Sequence, residues 1–161
     1  MTTSLPTIVP TGYAGDTTDF TKTKVDRSGA FRICTGSVSI PASTASATVV
    51  GLMPINKGFK LGYGSRVYAA ALDTNTALTL DIGYTYYDST TGTSSTAGYV
   101  SASTAGRAGG MIEMTAVTDM KTTAAADGWI TVTTGGGSTT TTGSLTFNLE
   151  FAYDPSGVTN P

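Results

Sequence analysis

The clearest pattern along the chain is a strict alternation of apolar and polar positions. From Ala77 to Tyr86, Leu78, Leu80, Ile82, Tyr84 and Tyr86 fall on one side of an extended backbone, and Ala77, Thr79, Asp81, Gly83 and Thr85 fall on the other. Leu145, Phe147, Leu149, Phe151 and Tyr153 repeat the pattern against Thr146, Asn148, Glu150 and Ala152. Each stretch reads as a strand with one apolar face. Two faces of that size are expected on facing sheets packed about 10 Å apart. Shorter apolar runs predict further strands at Phe31–Thr35 with Val38–Ile40, Ala47–Met53, Phe59–Leu61, Arg66–Leu72, Met111–Val117 and Trp129–Thr133. Turn chemistry separates them: Pro41, Pro54 to Gly58, Asp73-Thr74-Asn75, Asp127-Gly128 and Asp154-Pro155. The Ala-rich stretch from Ala97 to Gly109 admits one short helix, a lid or side element, weakened by Gly98 and Gly106.

About eight short strands, at most one small helix and no βαβ alternation predict an all-β fold, an antiparallel β-sandwich or jelly roll. Residues 1–30 have no periodicity. They hold Pro6, Pro10, Gly12 and Gly15, then a polar stretch from Asp16 to Arg27, and read as an extended N-terminal arm. The sandwich is expected over residues 31–154, with a short tail at 155–161.

Composition changes the picture in one respect. Only 12% of the 161 residues are charged while 39% are hydrophobic, so one core is expected under a surface covered by Thr, Ser, Ala and Gly. Thr favours strands and loops because its branched Cβ restricts χ1. A net charge of −2 supplies no basic field, which argues against nucleic acid and against an anionic membrane as partners. The single cysteine, Cys34, has no intrachain partner and sits in an apolar run, where it reads as a small buried hydrophobe. The start Met1 to Pro6 lacks the charged and apolar regions of a secretion signal, and no apolar run is long enough to span a bilayer. A soluble protein made in the cytosol is the expectation.

Chemistry is scarce. The chain has no histidine, which removes the commonest general base and the His-dependent metal sites and triads. A glycosidase needs two carboxyls facing each other across a cleft. Asp81 and Glu150 both fall on the polar side of their alternations, where solvated residues belong, so no enzyme is expected. Asp16 with Asp19, or Asp73 with Asn75, offer oxygens to calcium, but not at the spacing of a regular twelve-residue loop. Asp-Thr-Asn reads better as a turn whose side chains bond their own backbone. Gly135-Gly136-Gly137 lacks the lysine and helix of a phosphate loop and reads as a flexible hairpin loop. No cofactor and no metal are expected.

Two groups suit a protein partner. Lys22, Lys24 and Arg27 form the one local basic cluster, near the junction of arm and core, placed to grip an acidic surface or to be a solvated linker. Among the aromatics, Tyr84 and Tyr86 share the core-facing register, whereas Tyr87 and Trp129 lie on the other register of their strands. An aromatic sugar-binding platform would gather Tyr84, Tyr86, Tyr87, Tyr99 and Trp129, and of these Tyr87 and Trp129 are the candidates for an exposed contact.

From about Pro54 to Tyr153 the chain resembles small structural proteins encoded beside the major capsid proteins of tailed phages, those of cyanobacterial phages included. The resemblance rests on Leu52-Met53-Pro54-Ile55-Asn56-Lys57-Gly58-Phe59, the strand Ala77 to Tyr84, Asp127-Gly128-Trp129-Ile130-Thr131-Val132 and the strand Gly143 to Tyr153. These motifs form the fold and carry no catalytic residues. The resemblance implies a capsid decoration, or cement, protein: a jelly-roll module in the virion that binds the major capsid protein on the outer surface, often as a homotrimer, and reinforces the shell. A tail or head-fibre module and a carbohydrate-binding sandwich are the alternatives. A fibre would bring a coiled-coil or repeating shaft, and the sequence has neither pattern.

Overall fold

The computed structural model describes Ile8 and residues 32–116 and 123–153. Among these, nine strands and one turn of helix occur in the order β1 (Arg32–Ile40), β2 (Val49–Ile55), β3 (Phe59–Leu61), β4 (Arg66–Ala69), β5 (Thr79–Tyr86), β6 (Ser95–Ser103), α1 (Ala105–Ala108), β7 (Gly110–Glu113), β8 (Gly128–Gly135) and β9 (Gly143–Tyr153). They make two antiparallel sheets, β1-β9-β4-β7 and β2-β8-β5-β6. Short β3 pairs with the end of β9, Phe59 opposite Tyr153, and continues the line of β4 beyond the turn at 62–65.

With β3 set aside, the remaining strands pair outermost with outermost. β1 lies against β9, β2 against β8, β4 against β7 and β5 against β6. A long hairpin folded in this way and wrapped into two sheets is a jelly roll. The two strands with the strongest alternation fall on opposite sheets, β5 on one and β9 on the other. Their apolar sides meet in the core: Leu80, Ile82, Ile130, Val132 and Val50 from one sheet pack toward Val38, Ile40, Val67, Leu145, Phe147 and Leu149 from the other, all buried. The Phe147 ring lies directly over Gly36, its register partner on β1, and a Cβ at that position would enter the ring. Cys34 lies on the same face of β1, half-buried against the core, and burial pushes its thiol pKa up.

Two loop and helix expectations change. Residues 95–103 form the edge strand β6 and only Ala105–Ala108 is helical. Pairing with β5 outweighs the weak helix preference of an Ala-rich stretch carrying two glycines. Residues 136–142 are not a hairpin loop, because β8 and β9 belong to different sheets and the segment crosses between them. Threonines hold it in place. Thr139 donates to Pro41 C=O (2.8 Å) and accepts the Thr44 N–H (2.8 Å), Thr141 donates to Ala71 C=O (2.7 Å), and Thr134 donates to Ala45 C=O (2.7 Å). The threonine wealth of the sequence thus ties together the loops at one end of the sandwich.

Asp73 belongs to the same end. Its carboxylate accepts N–H bonds from Asn75 (2.8 Å), Ala77 (2.9 Å) and Leu78 (2.8 Å), the self-bonded turn expected for Asp-Thr-Asn. The bond from Leu78, then that from Asn75, hold its pKa below the ordinary carboxylate value. A folded pKa below the unfolded one contributes stability above the unfolded pKa, near 3.9, that is lost as pH falls through the folded pKa. Thermal midpoints measured across pH are therefore expected to drop at the acid end. Asp73→Asn, which turns an amide NH₂ toward backbone donors, should lower the midpoint at neutral pH and flatten that acid limb.

Candidate interaction surface

Asp81 and Glu150, the two strand acids, do not face each other across a cleft. Asp81 lies on the outer face of the β2-β8-β5-β6 sheet and accepts the Ala102 N–H (2.5 Å), while Glu150 lies on the outer face of the other sheet and accepts the Gly64 N–H (2.9 Å). The whole sandwich stands between them. Among the described residues, no cluster of acids and cysteine is close enough to hold a metal ion.

The two outer faces differ. On the β2-β8-β5-β6 sheet the middle is covered: Thr131, Thr85 and Trp129 are buried. Part of the cover is β6, whose backbone at Ser95 and Thr96 runs against Gly83. On the β1-β9-β4-β7 sheet the outer face is open. Ile33 is 68% exposed, Tyr68 43% and Met111 46%, and Tyr63, in the turn whose Gly62 and Gly64 pack against the Glu150 side chain, is 57% exposed. One row runs across all four strands as Ser37, Thr146, Tyr68 and Met111, and the next as Thr35, Asn148, Arg66 and Glu113. Charge on this face is balanced: Arg66 pairs with Glu113 (3.6 Å), and Glu150 and Lys60 share the outward register. An exposed face of Tyr, Met and Ile among hydroxyls, poor in unpaired charge, has the composition of the centre of a protein–protein interface. Alternation fixes which side of β1, β4 and β7 faces outward; what sequence reading missed is that these three strands share one sheet, and only the pairing shows that.

The residues singled out from sequence fare differently. Lys22, Lys24 and Arg27 lie outside the described residues. Trp129 is not an exposed contact: it is 4% exposed, although it does lie on the non-core register. It sits on β8, flanked by Pro54 and Thr85, on a sheet face that is itself covered. Tyr99 is buried too, and it packs with Tyr84 (5.6 Å between centroids), which in turn packs with Tyr86 (5.2 Å), so these tyrosines form a packed cluster and no platform.

Tyr87 does reach a surface feature. It lines an open recess of about 500 Å³ with Lys57, Asp88, Thr91, Ala125, Ala126 and Asp127, at the end of the sandwich away from the threonine-tied loops. Its hydroxyl oxygen is turned inward and buried, toward the Trp129 indole, and burial pushes the phenol pKa up. Within residues 1–30, the stretch expected as an arm, Ile8 is described. Ile8 forms a parallel bridge to Val50, accepting the Gly51 N–H (2.6 Å), and packs against the core at the edge of β2.

No protein-family model matches the sequence, and no curated protein matches it. Two solved structures share the fold. A chain of the capsid of Ralstonia phage GP4 superposes with a TM-score of 0.59 at 17% identity over 78% of this chain and 85% of that one. A chain of the cyanophage Pam1 capsid asymmetric unit superposes with a TM-score of 0.56 at 16% identity, over 86% of this chain and 99% of that one.

Proposed function

We propose that this chain is a non-enzymatic structural protein of a phage virion, and within that class a decoration protein that binds the major capsid protein on the outside of the head. The observation that carries the reading is the jelly roll shared with chains of two phage capsids, over most of the length of all three. The low charge, the absence of histidine and the separation of Asp81 from Glu150 on opposite sheets agree with a role in assembly. The open face of β1-β9-β4-β7 is the proposed contact with the capsid lattice, and Ile33, Tyr63, Tyr68 and Met111 are its apolar anchors. A face whose few charges balance suits a permanent lattice contact, which gains from apolar burial and not from steering. A trimer, with the arm reaching to neighbours, belongs to the same proposal.

Mixing the purified protein with heads that lack it, then sedimenting the heads, tests the reading: co-sedimentation at a fixed copy number is expected. Heads that stay bare at high protein concentration would overturn it. Deleting residues 1–28 is expected to leave a folded sandwich that attaches more weakly. That deletion also removes Ile8 from the β2 edge, at a cost of about 1–3 kcal/mol for one aliphatic side chain and its backbone bonds. Circular dichroism of the truncated protein separates the two effects.

A further inference from the structure

We infer that the recess beside Tyr87 is a binding site for one ring of a glycan, a role separate from attachment to the capsid. Three features carry this. The first is the attitude of Tyr87. An exposed tyrosine ordinarily keeps its hydroxyl in water and its ring against protein. Here the hydroxyl is buried toward the Trp129 indole while the residue, half-buried overall, lines an open recess, so what its side chain can offer a ligand is ring and not hydroxyl.

The second is the chemistry around that ring. Asp88 and Asp127 supply carboxylate oxygens, each able to accept several hydrogen bonds, Lys57 supplies a donor, and the Thr91 hydroxyl, which donates to Asp88 C=O (3.2 Å), adds an acceptor oxygen. An aromatic surface beside closely spaced acceptors and donors matches a sugar, which has an apolar C–H face and a rim of hydroxyls that both give and accept. A cation would not favour Lys57, and an anion would meet both aspartates. At about 500 Å³ the recess falls within the range of small-molecule sites.

The third is rigidity. Residues 124–127, just before β8, are fastened: Ala124 N–H donates to Phe59 C=O (2.7 Å), Gly58 N–H to Ala124 C=O (2.9 Å), Ala125 N–H to the Tyr86 hydroxyl (3.2 Å) and Tyr87 N–H to Asp127 C=O (3.0 Å). The Lys57 N–H binds the Asp127 carboxylate (2.7 Å), and Asp88 holds Thr90 through its N–H (2.8 Å) and hydroxyl (2.7 Å). Walls fixed in this way lose little freedom when a ligand enters.

The test uses the full chain on an array of methyl glycosides and oligosaccharides, followed by NMR titration with the strongest glycan on the array. Binding in the millimolar to high-micromolar range is expected, with the Ala125 and Ala126 amides shifting. Tyr87→Phe, which keeps the ring, should bind within about threefold of the parent, and Tyr87→Ala should lose tenfold or more. Thr91→Arg, at an exposed position on the rim, should block the recess without touching the fold and keeps the test valid if Tyr87→Ala is unstable. No binding to any glycan, or binding that survives Thr91→Arg in a folded protein, would overturn the assignment. Neither outcome bears on head attachment, which is read separately by sedimentation.

Discussion

Replacing Phe147 with alanine is expected to cost the fold about 3–5 kcal/mol, the largest single loss available in the core. Phe147 lies on the middle strand of its sheet, is flanked by Val67 on β4 and Gly36 on β1, and is buried. Gly36 has no side chain to fill the vacated space, so the cavity cannot close from that side. A domain of this size is stable by only about 5–15 kcal/mol, so the variant should unfold at a much lower urea midpoint with an unchanged slope. A loss below about 1 kcal/mol would mean that the two sheets collapse onto the gap. Gly36→Ala approaches the same contact from the other side, pressing a methyl group into the ring.

The second large effect concerns attachment and leaves stability alone. Tyr68 and Met111 are cross-strand neighbours on the open face, both well exposed. Changing both to aspartate puts two unpaired charges into a nearly neutral surface, where burial against a partner would strand them. Attachment to heads is expected to weaken about 100-fold or more, equivalent to roughly 3 kcal/mol, while the thermal midpoint moves little. Full attachment by this double variant would move the contact to another surface. Serine replacement at the same two positions should cost less, since it removes apolar area without adding charge.

Much of this architecture is legible in the sequence, for a definite reason. β5 and β9 are central strands with large residues on one face and small or polar ones on the other, so period-two alternation is unbroken. The turn at Asp73 is legible because an aspartate can satisfy its own backbone within a few residues. The misjudged elements depend on distant neighbours. Trp129 is correctly placed on the non-core register, but alternation assumes that the non-core side meets water, and here that side of the sheet is covered. The segment at 136–142 resembles a hairpin loop until β8 and β9 are known to lie in different sheets. Residues 97–103 have helix-compatible composition, and the vacant edge beside β5 turns them into a strand. The open face escapes detection because Ile33, Tyr68 and Met111 are far apart along the chain and ordinary one at a time. Tyr87 was legible as partly exposed, but its inward-turned hydroxyl was not.

The nesting of the strands has a further consequence for how the protein comes to be. Ser37 on β1 and Thr146 on β9 are 109 residues apart yet touch through their hydroxyls. Pairs so distant in sequence form late and slowly, since the intervening loop must close before any contact rewards it. At roughly 5–20 residues per second, a ribosome delivers β9 several seconds after β1. During that interval β1 carries Ile33 and an unsatisfied backbone, and β2 likewise waits for β8. The hairpin of β5 and β6, and then the β4–β7 pair around it, can assemble while the chain is still growing, so nucleation is expected there, with the rest of the roll closing outward after β8 and β9 emerge.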